Sequence, residues 1–94
     1  MYASFTMFTL GPGTRPAAEK LGAQFAPVLR SMKGFKNFTF IGDDSTGEYA
    51  ALVLWESKDD AEASIAATGP ELEKALSGMV KEPPKRGVYE VWDV

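Results

Sequence analysis

The stretch Tyr49–Trp55, with the sequence YAALVLW, constrains the fold of this chain most strongly because every one of its residues is apolar. In an extended strand, successive side chains point to opposite faces of the sheet. One face would carry Tyr49, Ala51, Val53 and Trp55, and the other Ala50, Leu52 and Leu54. An antiparallel strand with one face in water alternates apolar and polar residues. This pattern therefore predicts a strand that is covered on both faces.

The residues before this strand predict a strand, a helix and a second strand. Apolar residues alternate through the first ten positions, as in a strand. A helix should follow Gly11–Thr14, with Thr14 as its cap and a kink or a loosened turn at Pro27. The next strand, Phe35–Gly42, would place Phe38 and Phe40 on one face and Asn37 on the other.

The residues after it predict a capped helix and a last strand. Ser57 followed by acidic residues is typical of a helix start. Gly69-Pro70 should end this short helix and begin another. Lys81–Gly87 is predicted to be an exposed linker and Val88–Val94 the last strand. The order β-α-β-β-α-(α)-β is an α+β, ferredoxin-like split βαβ fold with a four-stranded antiparallel sheet, built as one domain over residues 1–94.

The two apolar faces of the third strand also predict an assembly. Two or three helices can cover only one face of a four-stranded sheet, so another layer must cover the second face. The economical source is a second copy of the chain, which gives a two-fold homodimer through the sheet face. A standard specific interface needs roughly 800 Å² from each subunit, and a sheet face of this size can supply it. The alternative is a monomer with an exposed apolar patch.

Composition excludes several kinds of chemistry and partner. The chain has no cysteine and no histidine, which excludes disulfides, Cys/His zinc sites, catalytic triads with a histidine base and histidine-ligated haem. Any chemistry must therefore use carboxylates, Lys, Arg, Tyr, Trp, Asn or hydroxyls, or a borrowed cofactor. No metal site is predicted, because the acidic residues Asp59, Asp60 and Glu62 lie at a helix start. An RNA-recognition module shares the element order, but GEYAALVLW (47–55) lacks that module's leading basic residue and has Glu48 inserted. The net charge of -3 also opposes nucleic acid.

The length of the apolar runs bears on where the protein acts. None approaches the roughly 18 residues of a membrane helix, so no membrane partner is expected. The opening MYASFTMFTL lacks the basic start and the cleavage site of a secretory signal. A cytoplasmic protein is the expectation.

The chain resembles the antibiotic biosynthesis monooxygenase family, whose members are small dimeric α/β-barrel proteins of ferredoxin-like topology. The resemblance covers nearly the whole chain. It rests on Gly34-Phe35 before the second strand, on LWESKDDAEAS (54–64), where a strand-ending tryptophan leads into a capped helix, and on the spacing of the elements. The haem-degrading branch of the family does not fit, because Ser64 and Lys74 stand where it carries a second tryptophan and the haem-ligating histidine.

The resemblance implies a cofactor-independent monooxygenase that acts on an aromatic or polyphenolic small molecule within a homodimer. Such an enzyme deprotonates an electron-rich phenol and holds the anion in a shielded apolar pocket while the anion gives an electron to O₂. The candidate catalytic residues are Tyr49, Trp55 and Asn37. The candidate substrate-binding residues are Arg86, Trp92, Phe38 and Phe40.

Each polar or large candidate also has a structural interpretation. Both tryptophans could pack in a core or an interface, since large rings dominate packing there. Tyr49 could pack at the sheet edge, Asn37 could lie at a solvated edge, and Arg86 could belong to the linker. The alternative function is a non-catalytic small-molecule-binding or structural dimer of the same fold. A fold shared by many functions does not choose between these hypotheses.

Overall fold

The fold is described by a computed structural model that covers residues 1–80 and 82–94. Its element order is β-α-β-β-α-β. The six elements are β1 (Tyr2–Thr9), α1 (Arg15–Arg30), β2 (Phe35–Asp43), β3 (Glu48–Trp55), α2 (Lys58–Leu76) and β4 (Lys85–Glu90). The predicted α+β class and split βαβ order are confirmed. Neither helix in the described part of the chain has the length and apolar content that a bilayer-crossing segment requires.

The four strands form one antiparallel sheet in the order β2-β3-β1-β4. Each βαβ unit therefore joins two parallel strands that a third strand separates. We call the face toward the helices the inner face and the opposite one the outer face. The inner face carries Tyr2, Ser4, Thr6 and Phe8 of β1, Phe38 and Phe40 of β2, Tyr49, Ala51, Val53 and Trp55 of β3, and Arg86 and Val88 of β4.

The two sets of β3 side chains separate as the sequence predicts, but β1 has a less usual orientation. Ser4 and Thr6 pair with Val53 and Ala51 and are buried on the inner face. The apolar Phe5 and Met7 lie on the outer face. The alternation that identifies this strand in the sequence thus points its larger apolar residues away from the helices.

A bulge in β2 brings an additional aromatic ring to the inner face. Phe35 pairs with Trp55 and Asn37 pairs with Leu54, so Lys36 is the extra residue of an irregular register. Because of this shift Phe35 meets Trp55 edge to face, at 5.9 Å between ring centroids.

Helix α1 is capped by a different residue from the predicted one. The Thr14 hydroxyl makes no cap to the helix and donates instead to the Gly11 carbonyl at 2.7 Å. The carboxylate of Asp44, on the β2–β3 turn, accepts from the Arg15 backbone N–H at 2.9 Å and takes the capping role. The helix continues past Pro27 to Arg30.

Helix α2 confirms its predicted start and contradicts its predicted end. The Ser57 hydroxyl accepts from the Asp60 backbone N–H at 3.1 Å, as an N-cap does. The predicted break at Gly69-Pro70 is wrong, because one helix runs through Pro70 to Leu76. Leu72 and Leu76 are buried against the sheet beyond the proline, and this burial offsets the missing backbone hydrogen bond.

The last strand begins earlier than predicted. It covers Lys85–Glu90, so Lys85–Gly87 of the predicted linker lie in the sheet, while Lys81 lies outside the described residues. Pairing with the free edge of β1 overrides the polar composition of this stretch, since Arg86 lies opposite Thr6. Val91–Val94 lie outside the strand.

Candidate functional site

A small cavity lies between the inner face of the sheet and the two helices. Its volume is about 50 Å³. All six elements contribute to its walls. The lining residues are Ser4, Thr6, Phe8, Leu21, Gly22, Phe25, Leu29, Phe38, Phe40, Ala51, Val53, Ser64, Thr68, Leu72 and Arg86.

One side of the cavity, the aromatic wall, is formed by Phe8, Phe25, Phe38 and Phe40. The rings of Phe38 and Phe40 meet edge to face, with centroids 6.4 Å apart. Phe8 packs on Phe40 at 6.2 Å. Gly22 of α1 lies opposite Phe40, so closely that a methyl group at Gly22 would lie 3.4 Å from the Phe40 ring. This wall is suited to the flat face of an aromatic ligand.

The opposite side, the polar wall, is organised by Arg86 and contains Ser4, Thr6, Ser64 and Thr68. The guanidinium extends from β4 to α2. Its Nε donates to the Thr6 hydroxyl at 3.0 Å, its Nη2 to the Thr68 hydroxyl at 2.8 Å, and its Nη1 to the Ile65 carbonyl at 3.1 Å. These three bonds fix the position of the charge at the edge of the cavity.

The Arg86 charge has no acidic partner among the described residues. The ion pairs found there join Arg15 to Glu19, Lys36 to Glu56, and Lys58 to Glu62, all on the surface. Partial burial lowers the pKa of Arg86 below its ordinary value, because desolvation disfavours the charged form. An arginine still carries its proton at neutral pH. The cavity therefore holds one positive charge that a bound anion could neutralise.

The two hydroxyls that α2 adds to the polar wall are bonded within the helix. Ser64 donates to the Ala61 carbonyl at 2.7 Å, and Thr68 donates to the Ser64 carbonyl at 2.7 Å. Such bonds to the preceding turn let a hydroxyl lie in a buried helix face at little cost. Both residues occupy the stripe of α2 that faces the sheet, together with Ala61 and Leu72.

Trp55 lies beneath the cavity and does not line it. It is 0% exposed, and its indole N–H donates to the Ser4 hydroxyl at 3.0 Å. The ring therefore packs in the core while its polar atom fixes the orientation of a cavity residue. This arrangement combines the packing interpretation of Trp55 with an indirect link to the site.

Tyr49 lies at the end of the sheet, where its buried ring packs on Phe8 at 6.0 Å between centroids. Its hydroxyl donates to Asp44 at 2.9 Å and lies 3.1 Å from the Thr14 hydroxyl. The same carboxylate caps α1, so Tyr49 helps to join the β2–β3 turn to the β1–α1 loop. The hydroxyl does not line the cavity.

The other predicted site residues fall into two groups. Arg86, Phe38 and Phe40 line the cavity together. Asn37 pairs with Leu54, so it lies on the outer face, where it is exposed. Trp92 is 74% exposed, beyond the end of β4, and donates to Glu90 at 3.0 Å.

Four residues of the polar wall are missing from the sequence-based candidates: Ser4, Thr6, Ser64 and Thr68. One signal for them is present in the sequence. Ser64 and Thr68 are four residues apart and follow Ala61 by three and seven positions, so hydroxyls occupy part of an otherwise apolar helix stripe. Buried polar residues are more informative about a site than exposed apolar ones.

Comparison with known proteins supports the fold independently of the site. No protein-family model matches the chain, and no curated protein matches it by sequence. Solved structures do match. The monooxygenase ActVA-Orf6 of Streptomyces coelicolor, solved with the ligand nanaomycin D, gives a TM-score of 0.78 at 21% identity and covers 99% of this chain and 88% of its own.

Two further structures have the same architecture. A Deinococcus radiodurans protein assigned to the antibiotic biosynthesis monooxygenases gives a TM-score of 0.80 at 17% identity, with 100% of this chain and 95% of the other covered. SnoaB of Streptomyces nogalater, a cofactor-independent oxygenase, gives a TM-score of 0.73 at 17% identity, with 99% of this chain and 93% of SnoaB covered. The chain therefore has the ferredoxin-like fold of the antibiotic biosynthesis monooxygenases.

Proposed function

We propose that this chain is a cofactor-independent monooxygenase that acts on an aromatic phenol within a homodimer. The observation that carries the proposal is the cavity itself, in which an aromatic wall faces a guanidinium that has no acidic partner in the described part of the chain. A phenolate needs a flat apolar surface for its ring and a positive charge for its oxygen. Two proteins that share this fold are SnoaB, a cofactor-independent oxygenase, and ActVA-Orf6, a monooxygenase solved with nanaomycin D bound.

The proposed reaction balances without an external reductant. In an anthrone-type phenol, a ring CH₂ gains one oxygen atom of O₂ and becomes a carbonyl, and its two hydrogens leave with the other oxygen atom as water. The carbon supplies all four electrons that O₂ accepts. The protein has to hold the anion, stabilise its charge and exclude water. In this proposal Arg86 holds the charge, and Phe38 and Phe40 hold the ring.

The cavity must expand to admit such a ligand. Its volume of about 50 Å³ is well below the roughly 150 Å³ of a cavity that binds benzene. Gly22 and Phe25 of α1 face Phe38 and Phe40 of β2 across the cavity, so a shift of α1 away from the sheet would widen it. Closure of this helix over the ring would also expel water from the reacting atoms.

The outer face supports the dimer in this proposal. Leu52, Ile41 and Tyr89 are 36%, 56% and 59% exposed there, next to Phe5 and Met7. A contiguous apolar patch on a small soluble chain marks a contact surface. A two-fold pairing through this face would cover it with a second copy and would leave the cavity on the other side of each sheet.

The test is oxygen uptake, measured with an electrode on a panel of hydroquinones and anthrone-type phenols. The wild-type protein is expected to consume O₂ with at least one of them, without added metal, flavin or haem. Arg86→Met should lower kcat/KM at least tenfold, because a hydrogen-bonded charge is lost from the site. Arg30→Met removes an arginine from the exposed last turn of α1 and should leave the rate unchanged.

The alternative is a non-catalytic dimer that binds the same class of molecule in the same cavity. Thermal stabilisation by phenols across the panel, with no oxygen uptake, would select that alternative. Equal oxygen uptake by the Arg86→Met and Arg30→Met proteins would reject the proposed role of Arg86.

A further inference from the structure

The hydrogen bonds of the polar wall determine which of its groups remain free for a ligand. The Ser4 oxygen accepts from the Trp55 indole, and the Thr6 oxygen accepts from Arg86 Nε. Indole and guanidinium nitrogens are donors only. In both contacts the hydroxyl is therefore the acceptor, and its own proton is left to donate. No protein acceptor for either proton occurs among the described residues.

Ser64 and Thr68 differ from this pair, although they line the same cavity. Their protons are already donated, to the carbonyls of Ala61 and Ser64. The four hydroxyls thus divide into two that are occupied as donors and two, Ser4 and Thr6, that are not.

Arg86 adds further donors next to these two hydroxyls. Three of the five N–H groups of its guanidinium donate to Thr6, Thr68 and Ile65. The remaining N–H groups can only donate. The protons left unused at the cavity by the described residues therefore belong to Ser4, Thr6 and Arg86, and an anionic ligand oxygen, which only accepts, can take hydrogen bonds from all three.

The cavity also lacks a group that could take a proton. Apart from Arg86, its lining residues among the described part of the chain are apolar or carry only a hydroxyl. Among these described residues, Arg86 is the only ionisable one, and it is already protonated. Tyr49 and its partner Asp44 lie outside the cavity.

We propose that this cavity selects its ligand as a phenolate: the phenol loses its proton in bulk water, and the anion is held in preference to the neutral phenol, by donation from Ser4, Thr6 and Arg86. The proton stays in the solvent, and no side chain of the cavity acts as a base. The inference rests on the proposed function in so far as the ligand is a phenol bound in this cavity. It assigns to Ser4 and Thr6 the selection between ionised and neutral ligands.

The test is the pH dependence of binding, measured by titration calorimetry with 4-nitrophenol, with the less acidic 4-cyanophenol, and with their methyl ethers. We expect the affinity for each phenol to rise with pH and to level off above the pKa of that phenol. The pH midpoints of the two affinity curves should therefore differ by the difference between the pKa values of the two phenols. The ethers, which have no anion, should bind at least tenfold more weakly at high pH and without pH dependence.

Variants identify the residues that make the selection. Ser4→Ala and Thr6→Val should each lower the preference for phenolate over ether about tenfold. Thr9→Val, at the exposed last residue of β1 and outside this cavity, should leave the preference unchanged. If Ser4→Ala does not fold because the Trp55 indole loses its partner, the double variant Ser4→Ala/Trp55→Phe removes both ends of that bond and tests the same hydroxyl.

Three results would overturn the inference: no saturable binding of either phenol, equal binding of phenol and ether, or one midpoint shared by both phenols, which would reveal a titrating protein group. Failure of the proposed function is recognised separately. Phenolate-selective binding without oxygen uptake keeps this inference and rejects the monooxygenase. Oxygen uptake together with pH-independent binding keeps the monooxygenase and rejects this inference.

Discussion

The two faces of the sheet differ, along β1, in a direction opposite to that of most antiparallel sheets. Such a sheet usually buries an apolar face and exposes a polar one. Here β1 turns Ser4 and Thr6 toward the helices, while Phe5 and Met7 lie on the outer face. Arg86 of the neighbouring strand joins the buried hydroxyls. The inner face is thus more polar than the stability of a core requires, and the outer face is more apolar than contact with water favours.

This difference indicates that each face has a function besides stability. Buried hydroxyls and a buried guanidinium cost free energy unless they are hydrogen-bonded, and every buried polar side chain among the described residues has a partner. An all-apolar inner face would avoid that cost, so the polar wall is best explained by a ligand. In the proposed homodimer, a second copy of the chain would cover the exposed apolar outer face.

The largest expected effect concerns the two tryptophans, one of which lies on the inner face and the other outside the sheet. Trp55→Ala should lower the free energy of unfolding by about 3–5 kcal/mol, because it leaves a cavity in a fully buried site. Trp92→Ala should change it by less than about 0.5 kcal/mol, since that ring is 74% exposed. Urea denaturation at one protein concentration measures both.

Trp55→Phe separates packing from hydrogen bonding at the same position. It keeps an aromatic ring on Phe35 and removes the donor to Ser4. A small loss of stability together with a changed preference for phenolate would show that the indole orients the Ser4 hydroxyl. Equal destabilisation by Trp55→Ala and Trp92→Ala would contradict the difference in burial between the two rings.

The next effect tests the outer face. Leu52→Lys places a charge in the centre of the proposed dimer contact and should raise the dimer dissociation constant at least about 100-fold, equivalent to roughly 3 kcal/mol. Sedimentation velocity at micromolar concentration measures the change. The wild-type protein should sediment as a dimer and the variant as a monomer.

Gln24→Lys adds the same charge to an exposed position on α1 and serves as the control. It should leave the dimer intact. A wild-type protein that sediments as a monomer at micromolar concentration would remove the explanation of the apolar outer face, and with it the homodimer in the proposed function.

The sequence predicts those features of the fold that depend on local pattern. The parity of β3 separates its two faces because β3 itself has no extra residue; the bulge in the β2–β3 pair lies in β2. The cap at Ser57 is local as well, since donor and acceptor lie three residues apart. The continuation of α2 through Pro70 was not predictable in this way, because it depends on the burial of Leu72 and Leu76 against distant strands.

The site residues divide in the same way, into those that the sequence can indicate and those that depend on how distant elements pack. Phe38, Phe40 and Arg86 could be proposed from residue type, and all three line the cavity. Ser4 and Thr6 could not be, because parity shows that they share a face without showing which face meets the helices. That choice depends on the pairing of β1 with β3 and β4 and on the side from which both helices pack. Hydroxyl-bearing strand residues look the same in sequence whether they face water or a ligand.

The smallest expected effect concerns Gly22 of α1, which lies opposite Phe40 of the aromatic wall. A substitution there should raise the stability of the chain and weaken ligand binding. Gly22 lies in α1, its backbone is compatible with alanine, and an added methyl would enter the cavity 3.4 Å from the Phe40 ring. Gly22→Ala should therefore raise the free energy of unfolding by about 0.5–1 kcal/mol, because alanine is the better helix former. The same methyl should weaken the binding of 4-nitrophenol by occupying space that the ligand needs.

Ala23→Gly, at the neighbouring exposed position, should cost about as much stability and leave ligand affinity unchanged. If Gly22→Ala stabilises the chain without weakening the ligand, then the phenol does not lie between Phe40 and α1, and the aromatic wall is only part of the core.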